Sequence, residues 1–496
     1  MRKFRFLVLA LILLLTCGQA AAAPFAQDAA GTPKAKFEKG YALFLDGNIA
    51  EAMHWYALAA EQGYAPAQFN LGLLYFNFDP PNYPVAVELF EMAAGQDLPE
   101  AQLMLGYVYI EGQAVPQSDA KALEWFRKAA DNGSLEAMLE TGLKYFNGNG
   151  VEQDYGEARA WFEKAAALNS PFAQNMLGYM YYFGYGITAD YVKAAQFHQL
   201  ATDQGYGLAA FNLGNMYHHG LGVEQSDAKA IELYEMAADD GIISAYHNLA
   251  FMYTMRQGVE PDYAKAAQWY LKAAREGDAA AQNSVGHFYD QGLGLEQDYD
   301  KAFEWFTKGA EQDNAYALCG LAGMYEKGRG TELDDTKALE LYEQAIAVTK
   351  AEMAEVAEQD SQGAAIDVHA KEQIMAFAQA HLGKMYEDGR GTGKNLLKAV
   401  ALYREAVRNN GAQGQYNLAC LYYLSQGVER NYVKAWALLQ KALVNEDTYK
   451  YYFDFEKEPL LSDIQKLLTE LETKMSDDAK ARAEELLKSQ TTDSLL

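Results

Sequence analysis

Apolar residues recur three or four positions apart along most of the chain, and the segment 207–242 shows this pattern most clearly. Its first half places Leu213 and Tyr217 on one face of a predicted helix. A Gly-Leu-Gly sequence ends this helix, and Asp227 is the predicted N-cap of a second one. Gly241 supplies the left-handed residue that closes the second helix. The segment predicts a helix–loop–helix hairpin, which needs neighbours on both sides to bury its apolar faces.

Copies of this hairpin recur along the chain, and from Gly106 to Ala322 the small residue of the first helix returns every 36 positions. The small residues are Gly72, Gly106, Gly142, Gly178, Gly214, Ala250, Gly286, Ala322, Gly383 and Ala419. A tyrosine lies three positions after each of them, at Tyr75, Tyr109, Tyr145, Tyr181, Tyr217, Tyr253, Tyr289, Tyr325, Tyr386 and Tyr422. Residues that tolerate the left-handed conformation form a further column, namely Gly133, Asn169, Gly205, Gly241, Gly277 and Asp313. This register predicts a solenoid of stacked hairpins.

The repeat resembles the Sel-one-like repeat (SLR), a relative of the tetratricopeptide repeat with a longer loop. The residues that carry the resemblance in one copy are Gly142, Tyr145, the Gly-Asn-Gly-Val of 148–151, Asp154, Ala158, Trp161, Phe162, Ala165 and Ala166. The resemblance covers roughly residues 35–446. It implies an all-α, right-handed superhelical solenoid of about eleven helix–loop–helix repeats with a C-terminal helical cap.

The beginning of the chain is typical of a secretory signal, because a basic start precedes an apolar run too short to be a stable membrane anchor. Two processing outcomes remain open. Ala20–Ala22 fits a small-x-small cleavage site, whereas the residues up to Cys17 resemble a lipidation motif with an unusual Thr16. We expect cleavage near Ala22, with lipidation of Cys17 as the alternative.

The resulting organisation has four parts. Residues 1–22 are the predicted signal peptide, 23–34 a linker, 35–446 the solenoid and 447–496 a C-terminal helical cap and tail. The step from Ala322 to Gly383 is longer than one repeat, which predicts a helical insertion at about 347–371 that lengthens the flanking helices into an arm.

The formal net charge of −27 argues against nucleic acid and anionic membrane surfaces as partners, since both are polyanions. Membrane contact is expected only if Cys17 is lipidated. The acidity is interpreted mainly as an aid to solubility.

Cysteine is sparse, with Cys319 and Cys420 in the predicted mature chain. They lie two repeats apart, about 20 Å at ordinary helix spacing, which is too far for a disulfide. Both are predicted to be reduced and buried. This pattern differs from the cysteine-rich branch of the resembled family, whose disulfide-stapled members include β-lactam hydrolases.

By analogy with tetratricopeptide solenoids, side chains just before and after the Leu-Gly pair are expected to line a concave peptide-binding groove. An asparagine two positions before the small residue suits a clamp on a peptide backbone, although it also caps local structure; it occurs at Asn70, Asn212, Asn248 and Asn417. The aromatic groove candidates are Tyr107, Tyr179, Tyr182 and Phe251, and the histidine candidates are His218, His247 and His287. The histidines would bind metal only if their nitrogens converged, and neither a His-x-x-x-His pair nor a Cys-x-x-Cys accompanies them.

The sequence therefore indicates an exported, non-enzymatic scaffold or adaptor, periplasmic or secreted from a bacterium, that binds a protein or peptide in the groove. No cofactor or metal is predicted. The resemblance places its role in envelope regulation, assembly or host contact. The alternative is a hydrolase, either of the β-lactamase-like type or a metalloenzyme built in the groove.

Overall fold

A computed structural model describes residues 31–255, 261–358, 364–444, 457–488 and 495. Every regular element within these ranges is an α-helix. The predicted signal peptide, Cys17 and most of the linker lie outside the described residues. The chain divides into two compact units, Met1–Glu224 and Gln225–Leu496, which we describe separately.

The first unit contains five complete helical hairpins and the first helix of a sixth. Its helices are α1 Pro33–Leu45, α2 Ile49–Ala60, α3 Ala65–Asn77, α4 Tyr83–Ala94, α5 Pro99–Glu111, α6 Asp119–Asp131, α7 Leu135–Asn147, α8 Tyr155–Ala167, α9 Pro171–Phe183, α10 Tyr191–Thr202 and α11 Gly207–His219. Consecutive helices pack against each other from α1 to α11, so each hairpin buries its apolar faces against its neighbours.

The second unit begins with the second helix of the sixth repeat along the sequence and ends with two helices beyond the repeats. Its helices are α12 Asp227–Asp239, α13 Ile243–Thr254, α14 Tyr263–Arg275, α15 Ala279–Gln291, α16 Tyr299–Ala310, α17 Ala315–Lys327, α18 Asp335–Glu358, α19 Ala364–Asp388, α20 Leu396–Arg408, α21 Ala412–Leu424, α22 Tyr432–Val444, α23 Lys457–Lys474 and α24 Asp477–Lys488. The odd-numbered helices up to α21 are the first helices of the repeats.

The ends of the helices follow local capping chemistry. The sequence predicts Asp227 as the N-cap of α12, but in the structure Asp227 is the first residue of this helix. The N-cap is Ser226, whose hydroxyl accepts a hydrogen bond from the backbone N–H of Lys229. The carboxylate of Asp227 lies in the first turn, where a negative charge interacts favourably with the helix dipole. The predicted left-handed column is confirmed, because all six of its residues have positive φ, including Asn169 at 63° and Asp313 at 56°.

In six repeats with glycine as the small residue, a ring of the second helix lies on that glycine of the first helix. A Cβ added to Gly142 would lie 2.7 Å from a ring carbon of Phe162, so a larger residue there would separate the helices. The same packing recurs with Phe90 on Gly72, Phe126 on Gly106, His198 on Gly178, Phe306 on Gly286 and Tyr403 on Gly383.

In seven repeats the tyrosine three positions after the small residue is covered by a lysine at the start of the second helix. The ammonium groups lie 4.0–5.6 Å from the ring centroids, within cation–π range. The pairs are Lys121 on Tyr109, Lys193 on Tyr181, Lys265 on Tyr253, Lys301 on Tyr289, Lys337 on Tyr325, Lys398 on Tyr386 and Lys434 on Tyr422. In these repeats the tyrosine of the first helix is therefore in contact with the start of the second helix.

Buried glutamines four positions before the small residue link successive hairpins, which the sequence reasoning had not identified. Gln102 donates to the carbonyl of Ala94 at 3.1 Å and accepts from the amide of Asn132 at 2.9 Å. Gln282 repeats this bridge, with Ala274 as its acceptor and Gln312 as its donor. Because these glutamine side chains are buried, an amide without a hydrogen-bond partner in the same place would lower the free energy of unfolding.

The helices that flank 359–363 are about twice as long as the other helices of the repeats, at 24 residues for α18 and 25 for α19. Lys371 of α19 lies 3.6 Å from Glu352 of α18, so the extended parts of the two helices contact each other. At the end of the chain, α23 and α24 pack against α22. No helix among the described residues combines the length and the apolar character needed to cross a membrane.

Candidate functional site

In each unit, the candidate binding surface is one side of the first helices, which we call the first-helix face of that unit. Positions on it are numbered from the small residue of each repeat, so that Asn70 is at −2 and Tyr107 at +1. In the second unit, α15 packs against α17, α17 against α19, and α19 against α21, so these first helices form a continuous layer.

The +1 position changes chemistry from repeat to repeat on an otherwise constant frame. Its residues are Leu73, Tyr107, Leu143, Tyr179, Asn215, Phe251, His287, Gly323, Lys384 and Cys420. Leu73 is buried, whereas the other nine are half-buried. The first-helix face therefore presents a different partly accessible residue in nearly every hairpin.

The −2 asparagines of the first unit differ in their partners. Asn212 donates to the side-chain oxygen of Asn175 in the preceding repeat at 3.0 Å, so part of its capacity serves packing between hairpins. Asn70 is 6% exposed, and its side-chain nitrogen has no acceptor among the described residues. Of the two, Asn70 has a buried amide donor that no described residue satisfies.

The −2 asparagines of the second unit both have intramolecular partners. Asn248 makes a side-chain hydrogen bond with Tyr234. Asn417 is 8% exposed and accepts from the amide of Gln413 at 2.9 Å. Both of these amides contribute to local structure, so their predicted role as clamps would require exchange of these bonds.

The aromatic candidates of the first unit lie in two environments. Tyr107 donates its hydroxyl to Glu136 at 2.8 Å, and burial together with the nearby carboxylates of Glu136 and Glu140 raises the pKa of Tyr107. Tyr179 and Tyr182 join a contiguous aromatic cluster at the loop end of α9. Its ring–ring contacts are Tyr179–Phe183 at 4.6 Å, Tyr155–Tyr185 at 4.9 Å, Phe146–Tyr185 at 5.7 Å and Tyr182–Tyr191 at 5.3 Å.

The three histidine candidates are all half-buried. The ring of His218 lies 4.6 Å from that of His219. His247 packs edge-on against Tyr270, and burial lowers its pKa. His287 packs against Phe306, and burial lowers its pKa to about 4. Among the described residues, no three His, Cys, Asp or Glu side chains converge in a way that could hold a metal ion.

The two thiols are both free, but only one is as buried as predicted. Cys319 is 2% exposed, and burial raises its pKa. Cys420 is half-buried, which corrects the sequence prediction. Cys420 occupies the +1 position, where most side chains are half-buried. Burial is the main cause that raises the pKa of its thiol, to about 11. Neither thiol is an activated nucleophile, because activation requires a lowered pKa.

A pocket in the first-helix face of the second unit was missed by the sequence reasoning. Among the residues that line it are His287, Phe306, Gly320, Gly323, Tyr342 and Phe377. The small residues at −2 and +1 of α17 are the sequence signal that could have revealed it, because they leave out two side chains that most other repeats carry.

Two carboxylates in this pocket are held by cations. Asp290 accepts from Arg329 at 3.1 Å. Glu326 accepts from Arg390 at 2.5 Å and from the Tyr342 hydroxyl at 3.1 Å. Burial acts to raise the pKa of Glu326, but hydrogen bonds and charge from His381 and Arg390 outweigh it and lower the pKa to about 2.

The repeated hairpins and their shared faces define a helical-repeat protein, and comparison with known families specifies which kind. Eleven segments match the Sel1 repeat, at residues 37–64, 65–98, 99–134, 135–170, 171–206, 207–242, 243–278, 279–314, 315–347, 376–411 and 412–443. The chain belongs to the Sel1 repeat family, and the predicted family and solenoid fold are confirmed. Proteins built from such repeats are typically protein–protein interaction scaffolds.

Two solved structures share this fold at 30% sequence identity. One is c5321, a protective antigen of uropathogenic Escherichia coli strains with an SLR fold, which matches 93% of this chain and 92% of its own with a TM-score of 0.73. The other is a Sel1 repeat protein of Oxalobacter formigenes, which matches 70% of this chain and 97% of its own with a TM-score of 0.52.

The uncharacterized protein NMB1327 of Neisseria meningitidis serogroup B is 30% identical over 99 residues. That match spans 20% of this chain and 21% of the curated relative, so it covers a few repeats rather than the whole protein.

Proposed function

We propose that the chain is an exported scaffold or adaptor that binds a protein or peptide through its first-helix faces, in envelope regulation, assembly or host contact. The observation that carries this proposal is the contrast between constant and varying positions. Small residues, tyrosines and closing residues repeat, whereas the half-buried +1 side chain differs in nearly every hairpin. Varied, partly accessible side chains on a rigid frame suit recognition of a specific partner.

Support for export comes from the basic start and apolar run of the N-terminal segment and from the resemblance of the chain to a bacterial protective antigen. Cell fractionation and the mass of the mature chain test this part. A start directly after Ala22 is the expected result, an acylated start at Cys17 would support the lipoprotein alternative, and an uncleaved cytoplasmic chain would contradict export.

Site-specific photo-crosslinking in the source cells tests the binding surface. The crosslinking residue replaces Asn215 or Phe251 at +1, or, as controls, Met92 or Met236 on second helices, which are 47% and 45% exposed. We expect a discrete crosslinked partner from the +1 positions alone. Crosslinks that are equal or stronger from the more exposed controls would place the partner on the other face and overturn the proposal.

The hydrolase alternative finds no support in the comparisons or in the chemistry of the described residues. Turnover of a chromogenic β-lactam by the purified chain remains its direct test. We expect no turnover above that of the buffer.

A further inference from the structure

The pocket in the second unit exists because one side chain of the repeated frame is missing. Gly323 lies at +1 of α17, and a Cβ built on it would have no atom within 4 Å. In every other repeat this position carries a side chain, which ranges from leucine and asparagine to tyrosine and phenylalanine. The space beside Gly323 therefore lies where the other repeats have a +1 side chain.

The wall of this space is largely apolar. Phe306, Met324 and Tyr342 are 1%, 3% and 1% exposed and pack beneath it, and Phe377 of α19 closes one side. Gly320 at the neighbouring −2 position lets the ring of Phe306 pack directly against the backbone of α17, since a Cβ there would collide with that ring. Burying an apolar group against such a surface stabilises a complex in proportion to the area removed from water.

The two carboxylates of the pocket are already matched by cations within the chain. The Asp290 and Glu326 side chains are each 12% exposed and are hydrogen-bonded to Arg329 and Arg390, respectively. A charged side chain entering the pocket would have to displace these ion pairs and lose its own hydration. An apolar side chain would neither displace the ion pairs nor give up the hydration of a charge. The lining therefore favours an apolar side chain of a partner as the guest in the pocket.

The size of the pocket sets the size of the guest. Its volume is about 80 Å³, which suits one side chain rather than a cofactor or a folded element. Lys327 and Arg329 line the pocket beside its two carboxylates, but the formal charge of the whole chain is −27, which favours a partner segment with basic residues.

We infer that the pocket at Gly323 is an anchor site for one bulky apolar side chain, leucine, methionine or phenylalanine, of a peptide segment flanked by lysine or arginine. This inference rests on the proposed function and specifies the partner of the same face. The anchor side chain of the partner occupies the space at +1 of α17, where this chain has only a glycine.

Selection of random linear peptides displayed on phage against the full-length chain tests the inference. Synthetic versions of the selected peptides are then titrated against the wild type, Gly323→Ala, Gly323→Leu and Gly393→Leu. Gly393 is a matched control, because an added Cβ there also meets nothing within 4 Å, but in an exposed loop. Helicity and melting of each variant are measured alongside.

We expect the selected peptides to share one leucine, methionine or phenylalanine among basic residues. Affinity should fall at least tenfold in Gly323→Leu, by less in Gly323→Ala, and not in Gly393→Leu. Replacing the shared apolar residue of the peptide by alanine should cause a comparable loss in the wild type and little further loss in Gly323→Leu.

Two results would overturn the inference and can be told apart. Peptides that crosslink to +1 positions but bind Gly323→Leu as tightly as the wild type would refute the pocket while leaving the first-helix face as the binding surface. Failure to select any peptide that crosslinks to a +1 position would refute both the pocket and the proposed function.

Discussion

Two neighbouring repeats of the first unit, 135–170 and 171–206, share one frame but fill it differently. In the first, Phe162 lies on Gly142, and in the second, His198 lies on Gly178. An added Cβ on either glycine would come within 2.7 Å of the ring, so the imidazole takes the same place as the phenyl group. The geometry of the hairpin is thus preserved when the ring changes.

The chemistry of the two rings is not equivalent. His198 is 2% exposed, and its Nδ1 is buried without a hydrogen-bond partner among the described residues. Burial lowers the pKa of His198 to about 4 because the charged form loses its hydration. A position that accepts either a phenyl or an imidazole ring therefore also determines how stability depends on pH.

The largest effect is expected from removal of the ring itself. Phe162 is fully buried, and Phe162→Ala should lower the free energy of unfolding by about 3–5 kcal/mol through lost burial and the cavity that remains. Chemical denaturation followed by circular dichroism, with hydrogen exchange of α7 and α8, measures the loss. Leu168→Ala, at a leucine that is 55% exposed, should change stability far less. Equal losses in the two variants would show that the ring does not hold the hairpin.

The second prediction concerns acid. The pKa of His198 is lowered from 6.5 to about 4 in the folded chain. The unfolded chain thus binds the proton more tightly, and the contribution of neutral His198 to stability is complete above pH 6.5. It is lost as the pH falls from 6.5 towards 4, and the full difference corresponds to about 3 kcal/mol.

His198→Phe, which copies the neighbouring repeat, should remove this loss. Hydrogen exchange of α9 and α10 at pH 7 and pH 4.5 provides the readout, and Phe162→His should introduce a new acid sensitivity in α7 and α8. Acid sensitivity of α9 and α10 that is unchanged in His198→Phe would assign it to another group.

The sequence predicts features that depend on residues close together in the chain. The left-handed conformation of Asn169 depends only on its local backbone, and the interval from Gly142 to Tyr145 lies within one helix. Both could be predicted because the repeat presents the same short-range chemistry many times. The period of the repeats likewise predicted the fold.

Features that join different hairpins were not predicted. The bond between Asn212 and Asn175 depends on how two repeats align, and it alters the interpretation of Asn212 as a clamp. The pocket depends on the absence of a side chain at Gly323 together with rings from three further helices. A search for conspicuous side chains does not detect an open position, although comparison of the +1 residues within this one sequence would have done so.

The third prediction sharpens the comparison at the −4 position, where the first repeat has Met138 and the second Gln174. Gln174 is 4% exposed and accepts a hydrogen bond from the amide of Gln204 at 2.7 Å. Gln204 itself is exposed and can turn to water. Gln174→Met, which keeps the volume, should therefore cost less than about 1.5 kcal/mol, whereas Gln174→Ala should cost more. Equal losses measured by denaturation would show that the hydrogen bonds, rather than the volume, determine stability here.

The smallest expected effect concerns the tyrosines of the same two repeats. Tyr181 has the ammonium of Lys193 at 5.3 Å from its ring centroid, whereas the corresponding residue for Tyr145 is Glu157. Tyr145 instead accepts a long hydrogen bond, 3.4 Å, from Arg127 of the preceding second helix. Lys193→Gln should lower stability by about 0.5–1 kcal/mol, because it removes an exposed cation–π contact and a partner of Asp190. Lys193→Arg keeps the charge and should retain most of that stability, which precise denaturation midpoints can resolve. If both variants match the wild type, the lysine column serves solubility, and the tyrosines hold the hairpins through burial alone.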